Sequence, residues 1–111
     1  MRQSHTAVIE RNVTWQGRFE LEPYEAGWAG EAIYFVRALR AENIPLGATM
    51  HVEISPDGIH WCPDGVELTL PTASEELTFC RVAHFGGLLR AVRQLPDDAQ
   101  LTVIVYLVLK E

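Results

Sequence analysis

The chain is told to turn more often than any helix could tolerate. Turn-forming residues recur at Gly17, Pro23, Gly27 with Gly30, residues 43–47, 55–58 and 63–65, Pro71, Gly86-Gly87 and Pro96-Asp97-Asp98. Short apolar segments separated this regularly by Gly, Pro, Asn and Asp are the pattern of an all-β sandwich or barrel. The segments themselves agree. Residues 6–10 and 18–22 alternate or nearly so, and 49–54, 66–70 and 77–85 are rich in β-branched and aromatic types. Residues 101–109 are apolar on both parities, which predicts a central strand covered on both faces.

Residues 28–40 are the ambiguous stretch. Ala29, Ala32, Ile33, Val36 and Leu39 fit a helical stripe, yet Ile33, Tyr34, Phe35 and Val36 are crowded β-formers. Glu31, Arg37 and Arg40 do not gather on one helical face, so the stretch reads as a strand. A helix there would make the fold α+β. The expectation is an all-β, antiparallel β-sandwich, jelly-roll-like, of about eight strands, with residues 1–111 as a single domain.

Composition narrows the function. Fifteen acidic residues against nine Lys plus Arg give a formal charge of −6. A nucleic-acid binder needs a basic face to displace counterions, and an anionic membrane surface asks for the same, so neither is an expected partner. The longest apolar run, Val103-Ile104-Val105-Tyr106-Leu107-Val108-Leu109, is far shorter than the ~20 residues of a spanning helix. Met1-Arg2-Gln3-Ser4-His5-Thr6 contains no signal-peptide apolar core, so a cytoplasmic or virion- or particle-associated protein is expected. Cys62 and Cys80 stand without a CxxC motif and are expected as free thiols. Asn12-Val13-Thr14 fits a glycosylation sequon, which matters only on a secretory route.

The sharpest local signal is Ser55-Pro56-Asp57-Gly58 within Val52-Glu53-Ile54-Ser55-Pro56-Asp57-Gly58-Ile59-His60-Trp61-Cys62. Pro56 presets φ for the first central position of a type I turn, Asp57 tolerates the second, and Gly58 takes the strained position after it. The Ser55 hydroxyl can accept from the turn amides. With these residues as a hairpin loop, Ile54 faces Ile59 and Val52 faces Trp61, gathering the apolar side chains on one face. The other face then carries His51, Glu53, His60 and Cys62, a set of ligand types that zinc accepts. A flat ribbon splays such side chains in parallel, so a polar outer face with a Glu53–His60 cross-strand pair is the preferred reading over a cupin-like metal site.

The string Ser55-x-Asp57-Gly58-x-x-Trp61 resembles the Asp-box turn of sialidase-type propellers, Ser-x-Asp-x-Gly-x-Thr-Trp, with one residue missing and His60 in place of Thr. Asp boxes are structural turns, so that resemblance implies a turn and no sialidase activity. The hairpin is also similar to those of small β-sandwich modules in phage structural proteins and carbohydrate-binding domains. The likeness covers about a dozen residues. The stretch from His84 to Arg90, followed by the long apolar last strand, fits the same pattern.

Catalytic alternatives lack support. Glu20 with Glu22, and Glu75 with Glu76, read as solvated carboxylates rather than a glycosidase pair. No serine has nucleophile-elbow surroundings, and Gly86-Gly87 opens a strand rather than a phosphate-binding helix. Cys80 and His84 are about 13 Å apart along an extended strand, too far for a dyad, and Cys80 reads as a small core residue. Trp15, Trp28, Trp61, Tyr24 and Tyr34 could line a sugar platform. Most are needed for the core, and Trp28, between Gly27 and Gly30, followed by Tyr24, are the best candidates for exposed rings.

The function expected from sequence is a non-catalytic structural or interaction module, without cofactor, that self-associates as a cyclic homo-oligomer such as a trimer. A larger assembly could cover the apolar segments at 28–39 and the C-terminal strand. Carbohydrate binding through Trp28 and Tyr24 is the alternative, and metal binding through His51, Glu53, His60 and Cys62 the third.

Overall fold

The computed structural model describes residues 4–83 and 87–111. They form nine strands: β1 (Ser4–Trp15), β2 (Arg18–Glu20), β3 (Tyr24–Glu25), β4 (Glu31–Glu42), β5 (Thr49–Ser55), β6 (Cys62–Thr69), β7 (Leu77–Ala83), β8 (Leu88–Gln94) and β9 (Gln100–Lys110). One sheet has the order β1-β9-β4-β7 and the other β2-β8-β5-β6, with β3 also pairing to β8. All pairings are antiparallel.

β2 and β3 are two pieces of one interrupted edge. Both run along β8, and the Leu21 N–H between them donates to the Ala91 carbonyl at 2.8 Å. The break falls at Pro23, which has no N–H for a ladder. Counted as one, they bring the strand number to the eight expected. The chain then crosses between the sheets at every connection except the β5–β6 hairpin, which is the winding of a jelly roll.

Residues 31–42 form a strand, β4, beside β9 and β7. The reason is visible in its burial: Ala32, Tyr34, Val36 and Ala38 are all fully buried, a period of two that a helix would scatter. On β9 the same parity buries Leu101, Val103, Val105, Leu107 and Leu109. Met50, Val52, Leu68, Leu89 and Ala91 meet them from the second sheet, and the buried side chains of both sheets join in one cluster. Trp15 stacks on Phe19, with ring centroids 4.2 Å apart and planes 8° from parallel, where β1 hands over to β2.

β9 departs from expectation in one respect. It is central in its sheet, but only its inner face is covered. Thr102, Ile104, Tyr106 and Val108 are all partly exposed on the outer side. Among the described residues there is no helix long and apolar enough to cross a membrane. The part of the 77–85 segment beyond Ala83 lies outside the described residues.

Candidate functional site

The turn at 55–58 has the chemistry its sequence asks for. Ser55 Oγ accepts from the N–H groups of Asp57 (3.2 Å) and Gly58 (2.8 Å), and Gly58 has φ +80°. Asp57 then extends the loop. Its Oδ1 accepts from the N–H groups of Ile59 (2.9 Å) and His60 (2.8 Å), and its Oδ2 lies 2.7 Å from His60 Nδ1. The His60 backbone and ring, then the Ile59 amide, hold the Asp57 carboxyl well below the usual carboxylate range.

This capping corrects the expected hairpin register. Strand pairing resumes at Ile54 with Cys62 and Glu53 with Pro63, so Ile59, His60 and Trp61 belong to the loop. Ile54 does not face Ile59, and Val52 does not face Trp61. Val52 is fully buried and pairs with Ala91, whereas Trp61 lies on the opposite, outer side. There the Arg90 guanidinium sits 4.3 Å from the Trp61 ring centroid. A bulge between His51 and Glu53 then shifts the rest of β6.

The four candidate ligands are accordingly kept apart. His51 Nδ1 lies 3.2 Å from Glu67, Glu53 accepts from Arg90 at 2.8 Å, His60 faces Asp57, and the Cys62 thiol is directed to the Ile54 carbonyl at 3.8 Å. The expected Glu53–His60 cross-strand pair does not form either. Among the described residues no group of three or more His, Cys, Asp or Glu side chains is placed to hold a metal ion. Cys62 and Cys80 are both free, Cys62 exposed and Cys80 buried. Burial pushes the Cys80 thiol up to about 11, which leaves it a poor nucleophile. His84, weighed as its partner, lies outside the described residues.

Arg90 is the residue that sequence reading missed. It arrives from β8, pairs across the ladder with Glu53, and also reaches Glu20 at 3.2 Å. Its side chain is 17% exposed and that of Glu53 19%. The cluster fastens Trp61 and both flanking carboxylates to the sheet, and it leaves this outer face polar.

Of the two rings expected to be exposed, Trp28 is 45% exposed and Tyr24 is partly buried against the core. Tyr24 lines a groove of about 460 Å³ between β1 and β3, with Ala7, Val8, Ile9, Glu22, Pro23 and Glu25. Trp28 is not part of its wall. Burial, with the Glu22 charge adding to it, raises the Glu10 carboxyl above its ordinary value on the same side of the molecule.

The outer face of the β1-β9-β4-β7 sheet is different in kind. Val8 pairs with Tyr106, Tyr106 with Phe35, and Phe35 with Phe79, a single apolar row across all four strands. The Phe35 and Phe79 rings are 5.9 Å apart. Ile33 and Val108 flank the row on one side, with Arg81 beside Ile33, and Ile104 and Leu77 on the other, with Arg37 between them. Phe79, Leu77 and Val8 are 50%, 54% and 40% exposed. Its signal in the sequence is the both-parity apolarity of β9 and of residues 33–36.

Comparison with known proteins bears on the fold alone. No family model matches the chain, and no curated protein is similar to it in sequence. The SPBc2 prophage-derived protein YomS has a similar structure, with a TM-score of 0.58 and 8% identity over 100% of this chain and 96% of that one. A chain of infectious bursal disease virus, Gt strain, superimposes with a TM-score of 0.52 and 14% identity over 98% of this chain. This chain spans 32% of the length of that viral one. The prophage and viral neighbours share the β-sandwich.

Proposed function

We propose that the protein is a non-catalytic structural module that assembles with copies of itself through the outer face of the β1-β9-β4-β7 sheet. The observation that carries this reading is the Val8–Tyr106–Phe35–Phe79 row with its aliphatic flanks. A sandwich normally turns polar residues outward from its sheets, and a contiguous apolar face marks an interaction surface. With ~3.3 Å per residue and ~4.8 Å between strands, the row and its flanks cover roughly 300 Å², about half of the sheet face. The whole face, with its bordering arginines, approaches the ~800 Å² per partner of a standard interface.

The opposite surface supports the same view, since its polar side chains are held by one another rather than aimed into a cleft. A prophage protein and a virus chain with this fold fit a protein that works as part of a larger particle. A flat face of this kind pairs with its own copy about a two-fold axis as well as it closes a ring of three. Multi-angle light scattering reads the number directly. Self-association of the wild type, and its reduction in Phe35→Asp/Tyr106→Asp, is the expected result. A monomer at high concentration would overturn the reading.

Glycan binding is a second reading, favoured by the groove that Tyr24 shares with Glu22 and Glu25 and by the exposed ring of Trp28. Retention on immobilised polysaccharide that is lost in Tyr24→Ala or Trp28→Ala would establish it.

A further inference from the structure

An edge strand presents N–H and C=O groups without ladder partners, and folds usually protect such edges. This molecule protects its edges unequally. β1 is broken by register shifts at Val8/Glu10 and at Arg11/Val13, with Asn12 at φ 54°. β6 carries Pro63, a bulge and Gly65 at φ 98°. β2 and β3 are three and two residues long. β7 has none of these devices. Its seven residues contain no Pro or Gly and run against β4 without a register shift. β6 lies beside it across the sandwich, but among the described residues only β4 forms a ladder with it.

We infer that two copies of the chain join through β7, antiparallel about a two-fold axis at Thr78, so that the β1-β9-β4-β7 sheet continues from one copy into the other. This rests on the assembly reading above and adds to its face contact a second one, at the edge of the same sheet. The phase of the ladder is the first support. The Ala38 N–H donates to the Glu76 carbonyl at 2.9 Å. Alternate residues Glu76, Thr78, Cys80 and Val82 therefore bond towards β4, and the amides and carbonyls of Leu77, Phe79 and Arg81 point to the open edge. Thr78 then meets Thr78 of the second copy at a non-hydrogen-bonded pair, where side chains come closest.

The second support is chemical. Thr78 Oγ1 has no hydrogen-bond partner where it sits, turned inward and shielded from solvent. A rotation about χ1 towards the open edge would give it one in a second Thr78 across the axis, as Thr102 does for Thr14 at 2.9 Å across the β1–β9 ladder. The same register sets Phe79 opposite Leu77 of the second copy, covering two exposed apolar side chains on each side. It also brings Arg81 to the second copy's 75–76 turn. Arg81 rests over the Phe79 ring at 5.0 Å, and neither it nor the exposed Glu76 has an ion-pair partner among the described residues. The residue opposite Arg81 is Glu75 of the second copy, which already pairs with Arg37 in its own chain, so Arg81 joins an existing ion pair on each side of the axis.

The test is directed cross-linking in a Cys62→Ser/Cys80→Ala background. Opposed non-hydrogen-bonded positions have a Cα separation within disulfide reach. Thr78→Cys should form a covalent dimer under mild oxidant, seen on a non-reducing gel, and Thr14→Cys on the far edge should not. Sedimentation velocity of the wild type should show a dimer, weakened at least tenfold by Leu77→Lys, an exposed position that leaves the monomer folded. A wild-type oligomer in which Thr78→Cys fails to cross-link overturns the β7 contact while leaving the assembly reading in place. A wild-type monomer at every concentration overturns both.

Discussion

The two outer faces of the sandwich are built from the same alternation and finished in opposite ways. On the β2-β8-β5-β6 side the outward positions carry Glu20, Glu53, Arg90 and His51, each with a partner within the chain. On the β1-β9-β4-β7 side they carry Tyr106, Phe35, Phe79 and their aliphatic neighbours, an apolar row bordered by Arg81, over the Phe79 ring, and by Arg37, which pairs with Glu75. The first face is closed chemically and the second is not. The difference teaches where a partner is needed: a half-buried ion cluster satisfies itself, whereas apolar area is satisfied only by another surface. Substitutions should therefore act on stability on one side and on association on the other.

The largest effect on stability is expected at Gly87, which lies against the backbone of Ser55. A Cβ there would meet the Ser55 carbonyl oxygen at 2.8 Å, a backbone atom that cannot move without disturbing the β5–β8 ladder. Gly87→Ala should cost about 2–3 kcal/mol in urea unfolding. A change below half that size would show the contact to be soft. Arg90→Met comes next. It leaves the Glu53 carboxylate without its cation at a 19% exposed position and takes away the platform under Trp61. A loss of about 1–2 kcal/mol is expected, less than for a fully buried pair because water still reaches the cluster. Glu53→Gln in the same chain should recover part of it, and the double-mutant cycle measures the coupling. By contrast Phe79→Ser on the apolar face should shift monomer stability by no more than ~0.5 kcal/mol.

This contrast was only half legible in the sequence. The sandwich followed from turn spacing, and residues 31–42 from crowded β-formers with charges on no single helical face. Those are local properties, and local chemistry decided them. The hairpin register was argued from pairing apolar with apolar, and it failed for a definite reason. Asp57 caps the amides of Ile59 and His60, which lengthens the loop, and Arg90, distant in sequence, offers the Trp61 ring a cation on the polar side. Neither Arg90 nor the bulge opposite His51 has a signal in the hairpin itself. The His51–Cys62 patch dissolved with the register. Likewise β9 is apolar on both parities whether its outer face is covered by its own chain or by another, and sequence does not distinguish the two.

Tyr34 tests the inner side of the same apolar sheet. Its ring is fully buried, and its hydroxyl has no hydrogen-bond partner. A buried hydroxyl that has given up water without gaining a partner costs stability, and burial accordingly raises its pKa well above the usual phenol range. Tyr34→Phe should therefore stabilise the protein by about 1 kcal/mol in thermal or urea unfolding. A loss of stability would mean that the hydroxyl is used after all.

The smallest effect, and the one that isolates the polar side, is the acid response of the hairpin. The carboxyl of Asp57 is held below its ordinary value of 3.8 by the His60 amide and ring and the Ile59 amide. A depressed folded-state value means that the ionised form contributes stability above the unfolded pKa, and that this contribution is lost as pH falls from there towards the folded value. Asp57→Asn abolishes the titration, so the Tm gap between wild type and variant should be constant near pH 7 and narrow progressively below about pH 4. The group is exposed, which keeps the gap small and makes it sensitive to salt. A gap that stays constant down to the lowest pH at which both proteins fold would show that the turn depends on the shape of Asp57 rather than its charge. The hairpin would then be closed by geometry alone, and its face would differ from the apolar one in packing rather than in electrostatics.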